Sequence, residues 1–318
     1  VFVDAWDPSY GSSFEGGGGD DGPTSASTAK VDVDVEVPAA DWQPIDVSPS
    51  TRRPDVVFLV DGVRRNDGML WTEEEDGASF AGLVASFAAG VVRCDLGRGA
   101  AELVDWGVGR GIFTASPSMG DLRTGLAWYR VHRVKEPGEA SKLPAAVQPS
   151  LTDLEVEISA AARGDGADLL IVDGPLRGRR HLVNTVGFVK TQQKHYLPAA
   201  QTKVVTSLRP GQRTPVFRQG TVWVNWSWYI RLPGGSGAPW SGIARVECSS
   251  DLTLEQAIEL AEISSATLPR FASSPYKDPR APQNLTPIGG LERGLRRKLG
   301  DARVLHRALT VATAHSRT

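Results

Sequence analysis

At 318 residues, with 41% hydrophobic and 23% charged side chains, the chain is long enough to bury a core unaided and has the make-up of a globular protein. Its two cysteines, Cys94 and Cys248, exclude a disulfide framework and a paired-cysteine metal site, and they favour a reducing cytoplasm. A formal net charge of −2 gives no global pull toward nucleic acid, no apolar run is long enough to span a bilayer, and the stretch VFVDAWDPSYG lacks the pattern of a signal peptide.

The charge is unevenly placed. Residues 1–50 carry ten acids (Asp4, Asp7, Glu15, Asp20, Asp21, Asp32, Asp34, Glu36, Asp41 and Asp46) against one base, Lys30, and read as an acidic, partly flexible N-terminal extension to a domain over 51–318. Residues 291–318 reverse the balance, with Arg293, Arg296, Arg297, Lys298, Arg303, Arg307 and Arg317 against Glu292 and Asp301. Such a basic segment is either a phosphate-facing surface or the solvated face of an amphipathic helix.

In chain order, the Gly/Ser/Asp composition of residues 11–29 predicts a flexible loop, and KVDVDVEV over 30–37 predicts a strand with one wet face. The run from Asp55 to Arg64, apolar on both faces, predicts a central strand. Asn66-Asp67-Gly68 then reads as a turn into a second, paired strand over 69–72, with further strands over 78–94 and 102–114. Residues 122–135, LRTGLAWYRVHRVK, fit strand or helix, and we favour helix or irregular structure.

From Pro149 the period changes. Leu151, Leu154, Ile158, Ala161 and Ala162 share a helix face, with Ser150 as N-cap and Gly164 as the stop. Strands follow over 167–173, 186–189, 221–232 and 242–248, with a short helix in 196–208. A helix over 252–268 has Asp251 or Thr253 as its cap, and one or two more lie in 285–309, broken near Gly300-Asp301. Sheet first, then helix–strand alternation, then terminal helices give a mixed-sheet α/β domain.

Two both-face-apolar strands end on Asp-Gly followed by arginine: Asp61-Gly62 with Arg64-Arg65, and Asp173-Gly174 with Arg177, Arg179, Arg180 and His181. Alone, each is an ordinary turn signal. Together with Glu155 from the helix before the second, or Glu157 as its alternative, they supply the oxygen ligands of a magnesium or manganese site, and two such ions about 4 Å apart can drive phosphodiester hydrolysis. Lys190 either neutralises the scissile phosphate or pairs with a carboxylate at the core edge; Arg64, Arg177, Arg179, Arg180 and Arg231 are candidates to guide a DNA backbone. His195 sits among Lys190, Lys194 and Tyr196, where a surface-loop histidine is the simpler explanation. No P-loop, dinucleotide fingerprint, GxSxG or HExxH occurs.

FLVDGVRR, the LEVEI helix, LLIVDGPL, GFVKTQQKHYL, WYIRL and GIARVE, in that order, resemble the NurA nucleases, partners of HerA-type hexameric DNA translocases. The resemblance implies an α/β fold with an RNase H-like (Piwi/NurA-type) mixed β-sheet flanked by helices and two manganese or magnesium ions. It also implies a homodimer that encloses DNA, and nucleolytic processing of DNA ends at the nucleoid, in repair or end resection. It matches Asp61 and Asp173 to the strand-borne acids and Glu155 or Glu157 to the helix glutamate. The family's C-terminal Tyr-Pro segment and following histidine have no direct counterpart in SSPYKDPRAPQNLTPIGGLERGLRRKLGD; Tyr276, Asn284, Glu292 and His306 are the residues available instead. The alternative to an exonuclease, possibly also a single-strand endonuclease, is a catalytically weak DNA-binding or scaffold subunit of a translocase complex.

Overall fold

The computed structural model describes residues 30–135, 140–163, 168–190, 196–220, 224–235 and 237–315. Its first strands are β1 (Lys30–Asp32), β2 (Ile45–Asp46), β3 (Val56–Glu73), β4 (Ser79–Asp95), β5 (Ala100–Thr114), β6 (Leu122–Arg123) and β7 (Trp128–Arg133). Then come α1 (Leu143–Ala161), β8 (Leu169–Asp173), β9 (Thr185–Val189) and α2 (Ala199–Ser207), followed by β10 (Gln212–Arg213), β11 (Phe217–Gly220), β12 (Val224–Arg231) and β13 (Ile243–Ser249). Three helices close the described chain: α3 (Leu254–Thr267), α4 (Thr286–Lys298) and α5 (Ala302–His315). None of the described helices is long and apolar enough to cross a membrane.

The fold is a mixed α/β one, with a mixed sheet flanked by helices. Strands β3, β4 and β5 lie side by side in chain order; after α1, β8 joins the other side of β3 in parallel and β9 joins β8 in parallel. The resulting order β5-β4-β3-β8-β9 is the arrangement that defines an RNase H-like sheet. Four consecutive buried residues, Leu169 to Val172, make β8 apolar on both faces, which is why it sits centrally.

By its contacts the chain forms two compact units. The first holds the described residues as far as Val60, with Val92–Glu102 and Arg163–Gly290. There β9 continues into antiparallel β13, β12, β11 and β1. Trp42, Val205, Leu208, Phe217, Tyr229 and Ile243 form a core cluster, and Val31, Val33, Val35 and Val37 pack on it. Residues 30–46 are therefore tied into this unit, and their firmest tie is electrostatic. Buried Arg213 donates to both oxygens of Glu36 at 2.8 and 2.9 Å and to Glu262 of α3 at 2.7 Å. The predicted strand over 30–37 stops at Asp32, because Glu36 turns inward to this arginine instead of lying on a wet strand face.

The second unit holds Asp61–Val91, Leu103–Ala162 and the residues from Leu291. Here β7 pairs with β5 in parallel and β6 with β7 antiparallel, and Val84, Ile112, Tyr129 and Leu309 form a core cluster. The predicted turn at Asn66-Asp67-Gly68 does not exist: β3 runs through it as one 18-residue strand. Asp67 is held inside by the Ser86 hydroxyl, by Tyr129 Oη at 3.2 Å and by Arg65 Nε at 2.9 Å, so its polar side chain is satisfied within the sheet rather than in a turn. Residues 122–135 hold the two strands β6 and β7 joined by irregular structure, and no helix, with Tyr129 buried between exposed Trp128 and Arg130 in the period of two that a strand imposes.

Helix α1 begins at Leu143, earlier than predicted, so Ser150 is inside it and bonds His132 Nδ1 at 3.3 Å instead of capping. Pro149 also lies inside α1, and the predicted stop, Gly164, lies outside the described residues. Helix α3 starts as expected at Thr253, whose side chain forms a capping box with Gln256. The break between α4 and α5 falls at Gly300, with φ of +80°, after which Asp301 accepts the amides of Arg303 and Val304 at 2.8 and 3.0 Å. The expected flexible loop over 11–29 lies outside the described residues, as do residues 191–195 of GFVKTQQKHYL, among them His195.

Candidate metal centre

The parallel ladder sets Val57, Phe58, Leu59 and Val60 of β3 against Leu169, Leu170, Ile171 and Val172 of β8, residue for residue. Asp61 and Asp173 each follow the last pair, so both carboxylates leave rigid, buried strands at the same level. Asp61 Oδ1 accepts the amide of Gly62 at 2.7 Å. A Cβ at Gly62 would collide with Glu155 Oε1 and stand 2.6 Å from Leu151 Cδ1, so the glycine is what lets α1 bring Glu155 against β3. Glu155 is buried against β3 and Glu157 is exposed. Among the described residues, one carboxylate oxygen from each of Asp61, Asp173 and Glu292 lies within 4.8 Å of the others. Glu155 is not in that group; Glu292, from the first half of α4, takes the third place.

On the β8 side, a chain of polar contacts begins at Asp173. Lys190 Nζ stands 2.5 Å from Asp173 Oδ2 and donates to Asn284 Oδ1 at 2.6 Å; Asn284 Nδ2 in turn donates to Asp278 Oδ2 at 2.6 Å. Asn284 is fully buried. Burial raises the Asp278 carboxyl, but bonds from Asn284 and from the Arg280 amide and guanidinium outweigh it and hold the group below the usual carboxylate range. In this structure Lys190 forms an ion pair at the core edge.

The turn after Asp173 is anchored from β13. Glu247 Oε1 accepts the Leu176 amide at 2.8 Å and Asn225 Nδ2 at 3.2 Å, while Oε2 accepts Arg245 Nη1 at 2.5 Å. Burial would lower the Arg245 guanidinium, yet the charge of Glu247 holds it above its usual value. Gly174 adopts φ of +107° and its amide bonds Phe188 O at 2.9 Å. A Cβ at Gly187 would lie 2.8 Å from Leu176 N and 2.9 Å from Gly174 O, so the turn closes only over a glycine. Neither Glu247 nor Asp278 was singled out from sequence. The signal for Glu247 was there: Arg245 and Glu247 stand two apart in GIARVEC, on one face of a run that is otherwise apolar.

Several expected phosphate guides have other duties. Arg179 is 2% exposed and has no face for a ligand. Arg231 donates to the carbonyls of Ser241, Thr206 and Pro239 at 2.6–2.9 Å, and burial lowers its guanidinium. Arg180 donates to Val224 O and to Ser250 Oγ, and Arg64 to Pro144 O at 3.1 Å and Gln148 Oε1 at 3.3 Å. Arg231, Arg180 and Arg64 thus satisfy carbonyl, hydroxyl and amide oxygens of the fold in this structure. Arg177 takes a left-handed conformation, φ 43°, in the turn after β8 and is half-buried. Tyr276 is 96% exposed, and His306 Nδ1 meets the Asp67 carbonyl at 3.0 Å; neither belongs to the carboxylate group.

Fold and site together define an RNase H-like α/β protein with an all-oxygen carboxylate group where the parallel β3–β8 ladder ends. No protein-family model matches the sequence, and no curated protein matches it. Among solved structures it is similar to Endonuclease V from Bacillus subtilis, at 13% identity over 79% of this chain and 84% of that one, with a TM-score of 0.33. The catalytic domain of human Endonuclease V gives 17% identity, 82% and 92% coverage, and a TM-score of 0.34. Ciona intestinalis Endonuclease V, in complex with a 24mer DNA containing an inosine followed by a ribo-adenosine, gives 12%, 82%, 92% and 0.32. Likenesses of this size carry no activity over to this chain.

Proposed function

We propose that the chain is a metal-dependent deoxyribonuclease of the NurA kind, which hydrolyses phosphodiesters at DNA ends as a homodimer working with a HerA-type ATP-driven translocase in the cytoplasm. The observation that carries this reading is the group Asp61, Asp173 and Glu292, three carboxylates within 4.8 Å on an RNase H-like sheet. Three oxygens and no sulfur or imidazole suit magnesium or manganese. Lys190 Nζ, 2.5 Å from Asp173, is the cation with which a metal ion would compete for that carboxylate. Bound there, the metal ions supply Lewis-acid stabilisation of the phosphate oxygens in an in-line displacement.

The chain's own residues do the rest. Asp61 and Asp173, on strands that cannot shift without breaking the ladder, fix where ligand oxygens stand. Glu155 packs on Gly62, the residue that follows Asp61. Lys190, held by Asn284, is the cation available to a scissile phosphate once a metal competes for Asp173. The pairing of FLVDGVRR, LLIVDGPL and GFVK with these positions supports the NurA assignment, and with it the dimer and the translocase.

The test is cleavage of end-labelled single- and double-stranded DNA with and without Mn²⁺, with the translocase added in parallel, beside Asp61→Ala and Asp173→Ala. Metal-dependent cleavage by the wild type that falls to background in both variants is expected, together with lost Mn²⁺ binding by electron paramagnetic resonance. Mn²⁺ binding without cleavage, alone or with the translocase, leaves a scaffold subunit.

A further inference from the structure

If Arg179, Arg180 and Arg231 serve the fold, a nucleic-acid strand needs other cations, and the β6–β7 hairpin has them. Arg123 stands opposite Trp128 in the hairpin register, and Arg130 follows two residues later, so all three share the face turned away from buried Tyr129. Both guanidinium carbons lie 4.6 Å from the Trp128 ring centroid, and the indole is 42% exposed. Among the described residues, no carboxylate forms an ion pair with Arg123 or Arg130. A guanidinium drawn to the ring face keeps N–H groups with which to make forked contacts to phosphate oxygens.

The stretch itself keeps the sign as far as Glu136. Residues 122–135 hold Arg123, Arg130, Arg133 and Lys135 and no acid. The acid just before them, Asp121, accepts the Val131 amide at 2.9 Å, and Arg133 is turned to the carbonyls of Pro117 and Met119. Beside the hairpin, a groove of about 570 Å³ is lined by Leu122, Arg123 and Leu126 and, from α5, by Val304, Arg307 and Val311, with no acid in its lining. On the α5 side, Asp301 is held by the amides of Arg303 and Val304, and Asp67, which lines a neighbouring pocket with Arg307, is paired with Arg65. Exposed Leu126 and Trp128 next to exposed cations make an amphipathic strip, and sequential phosphates and bases have the matching character.

We infer that the hairpin and α5 form a track for single-stranded nucleic acid, with Arg123, Arg130 and Arg307 taking phosphates and Leu126 and Trp128 meeting bases. The track lies outside the carboxylate group, and the choice of polymer rests on the nuclease reading above. Charge complementarity selects an anionic partner, and the combination of flat guanidinium groups with an indole favours a nucleic-acid strand over an acidic protein segment.

The experiment measures anisotropy of a fluorescein-labelled oligo-dT with the full chain in EDTA, across a salt series. Arg123→Glu/Arg130→Glu is expected to weaken binding by roughly tenfold or more and to flatten the slope of log affinity against log salt by about 1.4, the value for two phosphate contacts on a single strand. Arg307→Glu flattens it by about 0.7, and the exposed control Arg98→Glu leaves it unchanged. Wild-type affinity and slope in these variants, or tighter binding of poly-glutamate than of oligo-dT, overturns the track. Unchanged affinity alongside metal-dependent cleavage by the wild type removes the track and leaves the nuclease; lost affinity without any cleavage does the reverse. Near-identical melting curves for wild type and variants, expected because the replaced side chains are exposed, separate lost binding from lost folding.

Discussion

Glu247 does for the turn after β8 what a helix cap does for a helix: one carboxylate satisfies an amide that would otherwise be buried without a partner, and it neutralises a buried guanidinium besides. Glu247→Ala leaves Arg245 charged and uncompensated, at a cost of about 3–5 kcal/mol in urea unfolding. Glu247→Gln keeps an acceptor for Leu176 and loses less. Gly187→Ala tests the same turn from the other side: the methyl meets backbone, which does not swing away, and a loss of about 1–3 kcal/mol is expected. The two thiols behave as buried hydrophobes. Burial pushes Cys94 up to about 11, and burial followed by the nearby Glu247 charge raises Cys248 further. Both stay protonated and silent to a thiol reagent at neutral pH until urea exposes them. Because these folded-state values lie above the ordinary thiol value of 9.0, the stability tied to protonation is complete below pH 9 and is lost as the pH rises through about 11 for Cys94. Falling urea midpoints between pH 9 and 11 check this.

At the scale of elements, the segment 30–46 is fastened to α3 and β10 through one buried cation. Glu36→Ala removes two of the bonds to Arg213 and is expected to destabilise by about 3 kcal/mol and to open residues 30–46 to protease before the rest of the chain. Thr253→Ala, by contrast, costs α3 only its cap, about 1 kcal/mol. The difference follows from water, which replaces a lost cap at a helix end and cannot reach Arg213. This is also what limited the reading from sequence. Features carried by neighbours in the chain were legible: the apolar runs ending at Asp61 and Asp173, the Thr253–Gln256 box, the break at Gly300-Asp301. Asp67 looked like a turn residue because its partners, Ser86 and Tyr129, lie 19 and 62 residues away. Glu36 looked solvated because Arg213 lies 177 residues on. At the carboxylate group the strand acids were found by their strands, whereas Glu292 was one of four C-terminal possibilities, since nothing local distinguishes it from other acids on a basic amphipathic helix.

For the molecule as a whole, a metal that binds the native state alone stabilises it by mass action. Mn²⁺ at 100 times its dissociation constant is expected to add about 2.7 kcal/mol, read as a rise in melting temperature, and Asp61→Asn or Asp173→Asn is expected to abolish the rise. EDTA is expected to return the wild type to its metal-free melting temperature without unfolding it, as circular dichroism would record. The reason is the ion pair between Lys190 and Asp173. Small metal-dependent domains stay unfolded until the ion arrives, because their ligands repel one another and little else holds the chain. Here an ammonium tethered by Asn284 lies against Asp173 from the outset, and a large apolar core needs no help from an ion. On the nuclease reading proposed above, biogenesis would run in two separable stages, a ribosome-fresh chain maturing in metal-poor surroundings and acquiring its ions later, so that supply rather than folding would switch on its chemistry.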